Sequence, residues 1–190
     1  MADTEIAEIV TKGLHSLEME ITPTALTRIE KLSQGLPHYA HLLSLYASRA
    51  ALDGESMKID AHAIDIAIQK ATSGVQQTIL SAYEAAITSA RKDNLFADVL
   101  LACALAETSE LGKFAASDVR GPLRRITQTD YEIPTFAQHL NEFSDEKRGR
   151  ILVKTGTPRL YRYRFRNPLM QPYVIMQGIK SNRIDVAMID

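Results

Sequence analysis

The chain contains no tryptophan and only one cysteine among its 190 residues. A single thiol excludes an internal disulfide and a cysteine-built zinc site. Cys103 lies in the apolar run LLACALA, where a cysteine is expected to be buried and inert. No apolar run reaches the roughly 18 residues that a membrane-spanning helix needs, so no membrane partner is expected. The N-terminal MADTEIAEIV lacks the basic-then-apolar layout of a secretory signal, and the expected location is cytoplasmic. Catalytic signatures are missing as well. There is no G-x-x-x-x-G-K-[ST] phosphate loop, no H-E-x-x-H and no G-x-S-x-G elbow, nor a strand ending in paired acids that would hold Mg²⁺. The five histidines (His15, His38, His41, His62, His139) form no cluster with metal-ligand spacing. His38 and His41 share a helix face, but no carboxylate or cysteine stands near them. No catalytic residue and no metal ligand is therefore assigned, and this chain alone is not expected to be an enzyme.

What remains is an ordinary globular composition, 45% hydrophobic and 24% charged, long enough for one large domain or two small ones. Apolar periodicity predicts helices over most of it. A first helix spans 4–16, with Thr4 as its cap and Ile6, Ile9, Val10 and Leu14 on one face. Thr22-Pro23 is a stronger start signal, a capping hydroxyl followed by proline at the first helical position. Leu26, Ile29 and Leu32 continue that second helix. A third covers about 37–52, and Asp60 caps a fourth that carries Ile64, Ala67, Ile68 and Ala71. Four short helices in about 70 residues imply a small bundle.

Between the second and third helices lies Ser33-Gln34-Gly35-Leu36-Pro37-His38-Tyr39. Glycine ends a helix in the left-handed conformation, and proline starts the next. The expected result is a tight corner whose second helix turns unsatisfied N–H groups outward, as anion-binding helix ends do. Gly35-Leu36-Pro37-His38-Tyr39 followed by Leu42-Leu43 resembles the sensor-2 segment of AAA+ ATPase lid domains. That resemblance implies that Gly35, Pro37 and His38 face a nucleotide. It also marks a departure, since His38 stands where the family usually has an arginine.

After Ser73-Gly74 a connecting helix runs to about Ala90 through Leu80, Tyr83 and Ile87, and Arg91-Lys92-Asp93-Asn94 punctuates the chain. The run LFADVLLACALA is too apolar for a surface helix. Ser117 is read as the cap of the next helix, with Val119, Leu123 and Ile126, and a third carries Phe136, Leu140 and Phe143. Ile151-Leu152-Val153 and Leu160–Phe165 read as two strands about a Gly156-Thr157-Pro158 turn. In the second strand Tyr161, Tyr163 and Phe165 alternate with Arg162, Arg164 and Arg166, the period of a half-buried strand. Three helices followed by a hairpin is the winged-helix order, a helix-turn-helix variant. Asn167-Pro168 opens a last helix to Lys180, and the tail SNRIDVAMID is expected to fray.

The whole chain then resembles the C-terminal half of an AAA+ ATPase of the replication-initiator type or a related bacterial ATPase. The expected fold is mostly α. A lid-like bundle over 1–73 and a connecting helix over 74–92 precede a winged helix over 93–181 and a tail over 182–190. The resemblance implies a fragment whose lid closes over ATP and Mg²⁺ held by a missing ATPase core. It also implies homo-oligomerisation through that core.

Charge is unevenly spread. Residues 1–90 hold 6 Lys/Arg against 11 Asp/Glu, and residues 91–190 hold 16 against 12. From Lys147 to Arg166 there are eight basic residues and no acid. Lys154, Arg159, Arg162 and Arg164 on the hairpin, with Arg120, Arg124 and Arg125 on the preceding helix, are the candidate contacts to duplex DNA. Two other readings compete with this one. The arginines pair with Glu142, Asp145 and Glu146, or the winged helix docks a protein partner or the ATPase core. The polar residues of the would-be recognition helix (Thr135, Gln138, His139, Asn141, Glu142) include no Lys or Arg, which disfavours base-specific readout.

Overall fold

The computed structural model describes residues 1–90, 94–158 and 160–189. Arg91, Lys92 and Asp93, and the candidate contact Arg159, lie outside the described residues. The fold is mostly helical, as the periodicity predicts. It divides into two compact units, one of Met1–Val75 with Met176–Asp190 and one of Gln76–Ile175. No helix among the described residues is long and apolar enough to cross a membrane.

The first unit is built on α1 (Asp3–His15), α2 (Pro23–Ser33), α3 (Pro37–Asp53) and α4 (Ala61–Ser73). Ile6, Val10, Leu14, Ile29, Leu32, Leu43, Ile64 and Ile68 form its core. Helices α3 and α4 share the most extensive contact of the unit. Ala40, Ala47 and Ala51 on one and Ala63, Ala67 and Ala71 on the other are buried and small. Thr22 and Asp60 cap α2 and α4 as expected: Thr22 Oγ1 accepts from the Ala25 N–H at 3.3 Å, and Asp60 Oδ1 from the Ala63 N–H at 2.9 Å. Thr4 does not cap α1. Glu5 reaches back to the Ala2 N–H at 2.8 Å, so the helix begins one residue before Thr4.

Two short strands that the sequence pattern does not predict, β1 (Glu20–Ile21) and β2 (Lys58–Ile59), pair in parallel. Each is two residues long, too short for a period-two pattern. The Glu20 and Thr22 N–H groups donate to the carbonyls of Met57 and Ile59, both at 2.9 Å. The C-terminal residues differ from the expected frayed tail. Ile184 and Ile189 are buried within the first unit, and Lys31 donates to the Ile189 carbonyl. Their apolar side chains supply a physical reason, since burial of each isoleucine opposes the entropy gained by fraying.

The second unit contains α5 (Gln77–Ile87), α6 (Phe96–Ala104), α7 (Ala116–Thr127) and α8 (Ile133–Glu142), then β3 (Leu152–Thr155) and β4 (Arg162–Phe165). The unit's last residues form the start of α9 (Met170–Lys180). Helix α6 is buried almost all round, as its composition requires. Cys103 is fully buried, and burial pushes its thiol far above the ordinary value. On α5 Ile79 and Ala86 are buried, and Leu80, Tyr83 and Ile87 are half-buried; Tyr83 meets Tyr173 edge to face, ring centroids 5.3 Å apart. Ser117 is not the cap of α7. Asp118 accepts from the Ala115 N–H at 2.7 Å, which starts the helix earlier and leaves Ser117 in its first turn.

Strands β3 and β4 are antiparallel, with Leu152 opposite Phe165, Val153 opposite Arg164, Lys154 opposite Tyr163 and Thr155 opposite Arg162. A further antiparallel bridge joins Phe114 to Tyr163. Each N–H of that pair donates to the other's carbonyl, at 2.9 and 2.8 Å, so β4 has backbone partners on both sides.

Candidate functional site

The corner between α2 and α3 has the expected backbone. Gln34 and Gly35 both adopt positive φ, 47° and 70°, and Pro37 is the first residue of α3. The free donors expected there are fewer than a bare helix end would offer. Pro37 has no N–H, and the Tyr39 and Ala40 N–H groups donate to the Leu36 carbonyl at 3.0 and 3.3 Å. His38 is exposed, its ring edge to face with Tyr39 at 5.3 Å. The Met1 ammonium donates to the Gly35 carbonyl at 3.1 Å. An imidazole beside one such helix end does not make an ATP site on its own.

The basic run of the second unit separates into two classes once its partners are known. Arg148 lies over the Phe96 ring, 3.7 Å from its centroid, pairs with Glu142 at 3.4 Å and donates to the Thr88 carbonyl. Arg150 pairs with Glu146 at 3.2 Å. These arginines follow the reading in which acids within the unit neutralise them. Arg148 also lines a concavity of about 1020 Å³, walled partly by Glu84, Glu142 and Asp145. Its charges are of both signs.

The second class is on β4. Tyr163 and Phe165 are buried and Arg162 and Arg164 exposed, so the alternation read in the sequence is the alternation of the strand. Arg162 reaches the neighbouring Tyr161 carbonyl at 3.3 Å. Among the described residues, neither Arg162 nor Arg164 has an acidic partner. Arg166 continues the row and is exposed. Lys154 does not belong to it. Opposite Tyr163 in register, it falls on the other face, where its ammonium donates to Asn141 Oδ1 at 2.7 Å and lies 3.5 Å from the Tyr161 ring centroid. Side chains two apart share a strand face and side chains across a ladder share it too. Strand register, which composition does not give, decides which cations gather.

On α7 the candidate residues are likewise divided. Arg120 is held by Asp130, at 3.0 and 3.1 Å, and by Glu132 at 2.8 Å. The guanidinium beside Asp130 holds that carboxyl below its usual range. Arg124 is exposed and its charge also acts on Asp130; Arg125 is exposed at the end of the same helix. Helix α8 presents no Lys or Arg. Its Gln138 donates to Glu142 at 2.9 Å, and burial against its surroundings holds the His139 imidazole below the ordinary histidine value.

No family model, curated protein or solved structure matches this chain. What the site can do therefore rests on its own chemistry. Among the described residues it is a strand face of exposed guanidinium groups, and no cluster of metal-ligating side chains is present.

Proposed function

We propose that the second unit is a winged helix that binds duplex DNA through the phosphate backbone, largely without regard to sequence. The first unit, on this reading, is an AAA+-type lid. The observation that carries the proposal is the exposed, unneutralised pair Arg162 and Arg164 on a strand whose other face is buried. Guanidinium groups fork well to phosphate oxygens, and phosphate contact is the part of nucleic-acid affinity that needs no base readout. The order α6–α7–α8 followed by the β3–β4 hairpin supports the winged-helix reading. The four-helix bundle with its Gly35–Pro37 corner supports the lid. ATP and Mg²⁺ then belong to a core domain outside this chain, with Gly35 and Pro37 fixing the corner that faces it and His38 nearest the phosphates.

A second reading has an observation of its own. Arg120 is neutralised by Asp130 and Glu132, and Glu132 begins the helix that would enter the groove. An acidic end of this kind repels DNA and suits a winged helix that docks on a protein, the ATPase core included. Salt-dependent binding of a labelled duplex, lost on reversing the charge of Arg162 and Arg164, tests the first reading. Binding to the core domain with no response to DNA supports the second.

A further inference from the structure

The bridge between Phe114 and Tyr163 extends the arginine face by a third chain segment. Phe114 and Tyr163 are directly opposed, both buried, with ring centroids 6.1 Å apart. Successive side chains of an extended segment alternate between faces. Tyr163 points inward and Arg164 outward; by the same alternation Lys113 turns away from the Phe114 side and falls beside Arg164. Val153 is the neighbour of Arg164 on its other flank. The outward positions of the three segments are thus Lys113, Val153, Thr155, Arg162 and Arg164, which include three cations and no carboxylate.

Among the described residues, neither Asp118 nor Glu110 forms an ion pair with Lys113, Arg162 or Arg164. Asp118 accepts from the Ala115 N–H and the Ser117 hydroxyl. Glu110 is exposed in the turn that precedes Lys113, and among the described residues Lys113 is in no ion pair. Gly112, at φ 66°, and the bond from the Ser109 N–H to the Lys113 carbonyl at 2.9 Å fix the backbone that leads into the bridge.

We infer that Lys113 is a phosphate contact of the same surface as Arg162 and Arg164, and that this sheet face, rather than α8, is the nucleic-acid-binding surface. The inference rests on the DNA-binding reading above and adds to it which residues do the binding. Exposed lysine and arginine side chains on one sheet face suit the phosphate oxygens of a duplex, whichever bases lie between them. Lys154, on the opposite face and already engaged by Asn141, is not part of it.

The test is the salt dependence of duplex binding for the whole chain and for Lys113→Ala, Lys113→Arg, Lys154→Ala and Arg162→Ala/Arg164→Ala, on two duplexes of unrelated sequence. Each phosphate contact removed lowers the slope of log K against log salt by about 0.9. Lys113→Ala is expected to lose about that much on both duplexes, Lys113→Arg to keep the wild-type slope, and Lys154→Ala to leave it unchanged. If Lys113→Ala does not fold, Lys113→Gln takes its place. A wild-type slope for the Lys113 variant, alongside a lowered slope for the double arginine variant, overturns the inference and leaves the DNA-binding reading standing. Loss of slope in Lys154→Ala but not in Lys113→Ala also overturns it. Absence of duplex binding by the wild type at low salt overturns both.

Discussion

Arg120 donates from Nε and Nη2 to the two carboxylate oxygens of Asp130, at 3.0 and 3.1 Å. The pair ties the middle of α7 to the loop before α8, and Glu132 adds a second carboxylate to the same guanidinium. An arginine so engaged has little to offer a phosphate. Replacing Arg120 with alanine is therefore expected to leave duplex affinity within about twofold of wild type while lowering the melting temperature slightly, since exposed pairs contribute little. The sign of the pH dependence follows from Asp130. Its folded pKa is depressed, so the stabilisation is present above the ordinary Asp value and is lost as pH falls through the folded value. Thermal melts of wild type and Arg120→Ala should differ at pH 7 and converge in acid. A large loss of DNA binding would return Arg120 to the contact surface.

Gly35 occupies φ 70°, and a Cβ there would come within 2.6 Å of the Met1 carbonyl oxygen. A left-handed non-glycine residue costs roughly 1–2 kcal/mol. Gly35→Ala is expected to destabilise the chain by at least that amount in urea unfolding, whereas Gly13→Ala, within α1 and open around its Cβ, should be neutral or stabilising. Equal effects at the two glycines would contradict the corner geometry.

Ile189 is 1% exposed. Truncating a buried isoleucine to alanine costs about 2–5 kcal/mol, and the lower part of that range is expected near a chain end. Denaturant titration of Ile189→Ala measures it. A change below about 0.5 kcal/mol would mean that the terminal segment frays as its sequence suggests.

Much of the first unit could be read from local signals because its boundaries are set by local chemistry. Thr22-Pro23, Gly35, Pro37 and Asp60 act on the backbone within a turn of themselves, and the helices begin and end where they dictate. Thr4 and Ser117 failed as caps for a shared reason. In both helices an acid in the first turn, Glu5 or Asp118, reaches back to an alanine N–H and fixes an earlier start. The two-residue ladder of β1 and β2 and the single bridge of Phe114 left no pattern to read.

The candidate site was half legible. Alternation of Arg162, Tyr163, Arg164 and Phe165 announced one charged and one buried face, and the strand has both. Lys154 is close to the arginines in sequence and of like charge. Its face depends on register against β4, which neither composition nor charge encodes. Arg148 and Arg150 belong to the same basic run and pair with Glu142 and Glu146, two of the acids that the competing reading names. Which arginines of the run those acids reach depends on the fold.

On the proposed reading, Arg162 and Arg164 hold duplex DNA by its phosphates. This is tested most directly by fluorescence anisotropy of a labelled duplex at two or more salt concentrations, with wild type and Arg162→Glu/Arg164→Glu. Wild-type binding is expected to weaken steeply with salt. For the double variant the expectation is binding lost outright, or a residual salt slope smaller by about 1.8, two contacts at about 0.9 each. Wild-type binding absent at low salt, or unchanged by the double reversal, would contradict that reading.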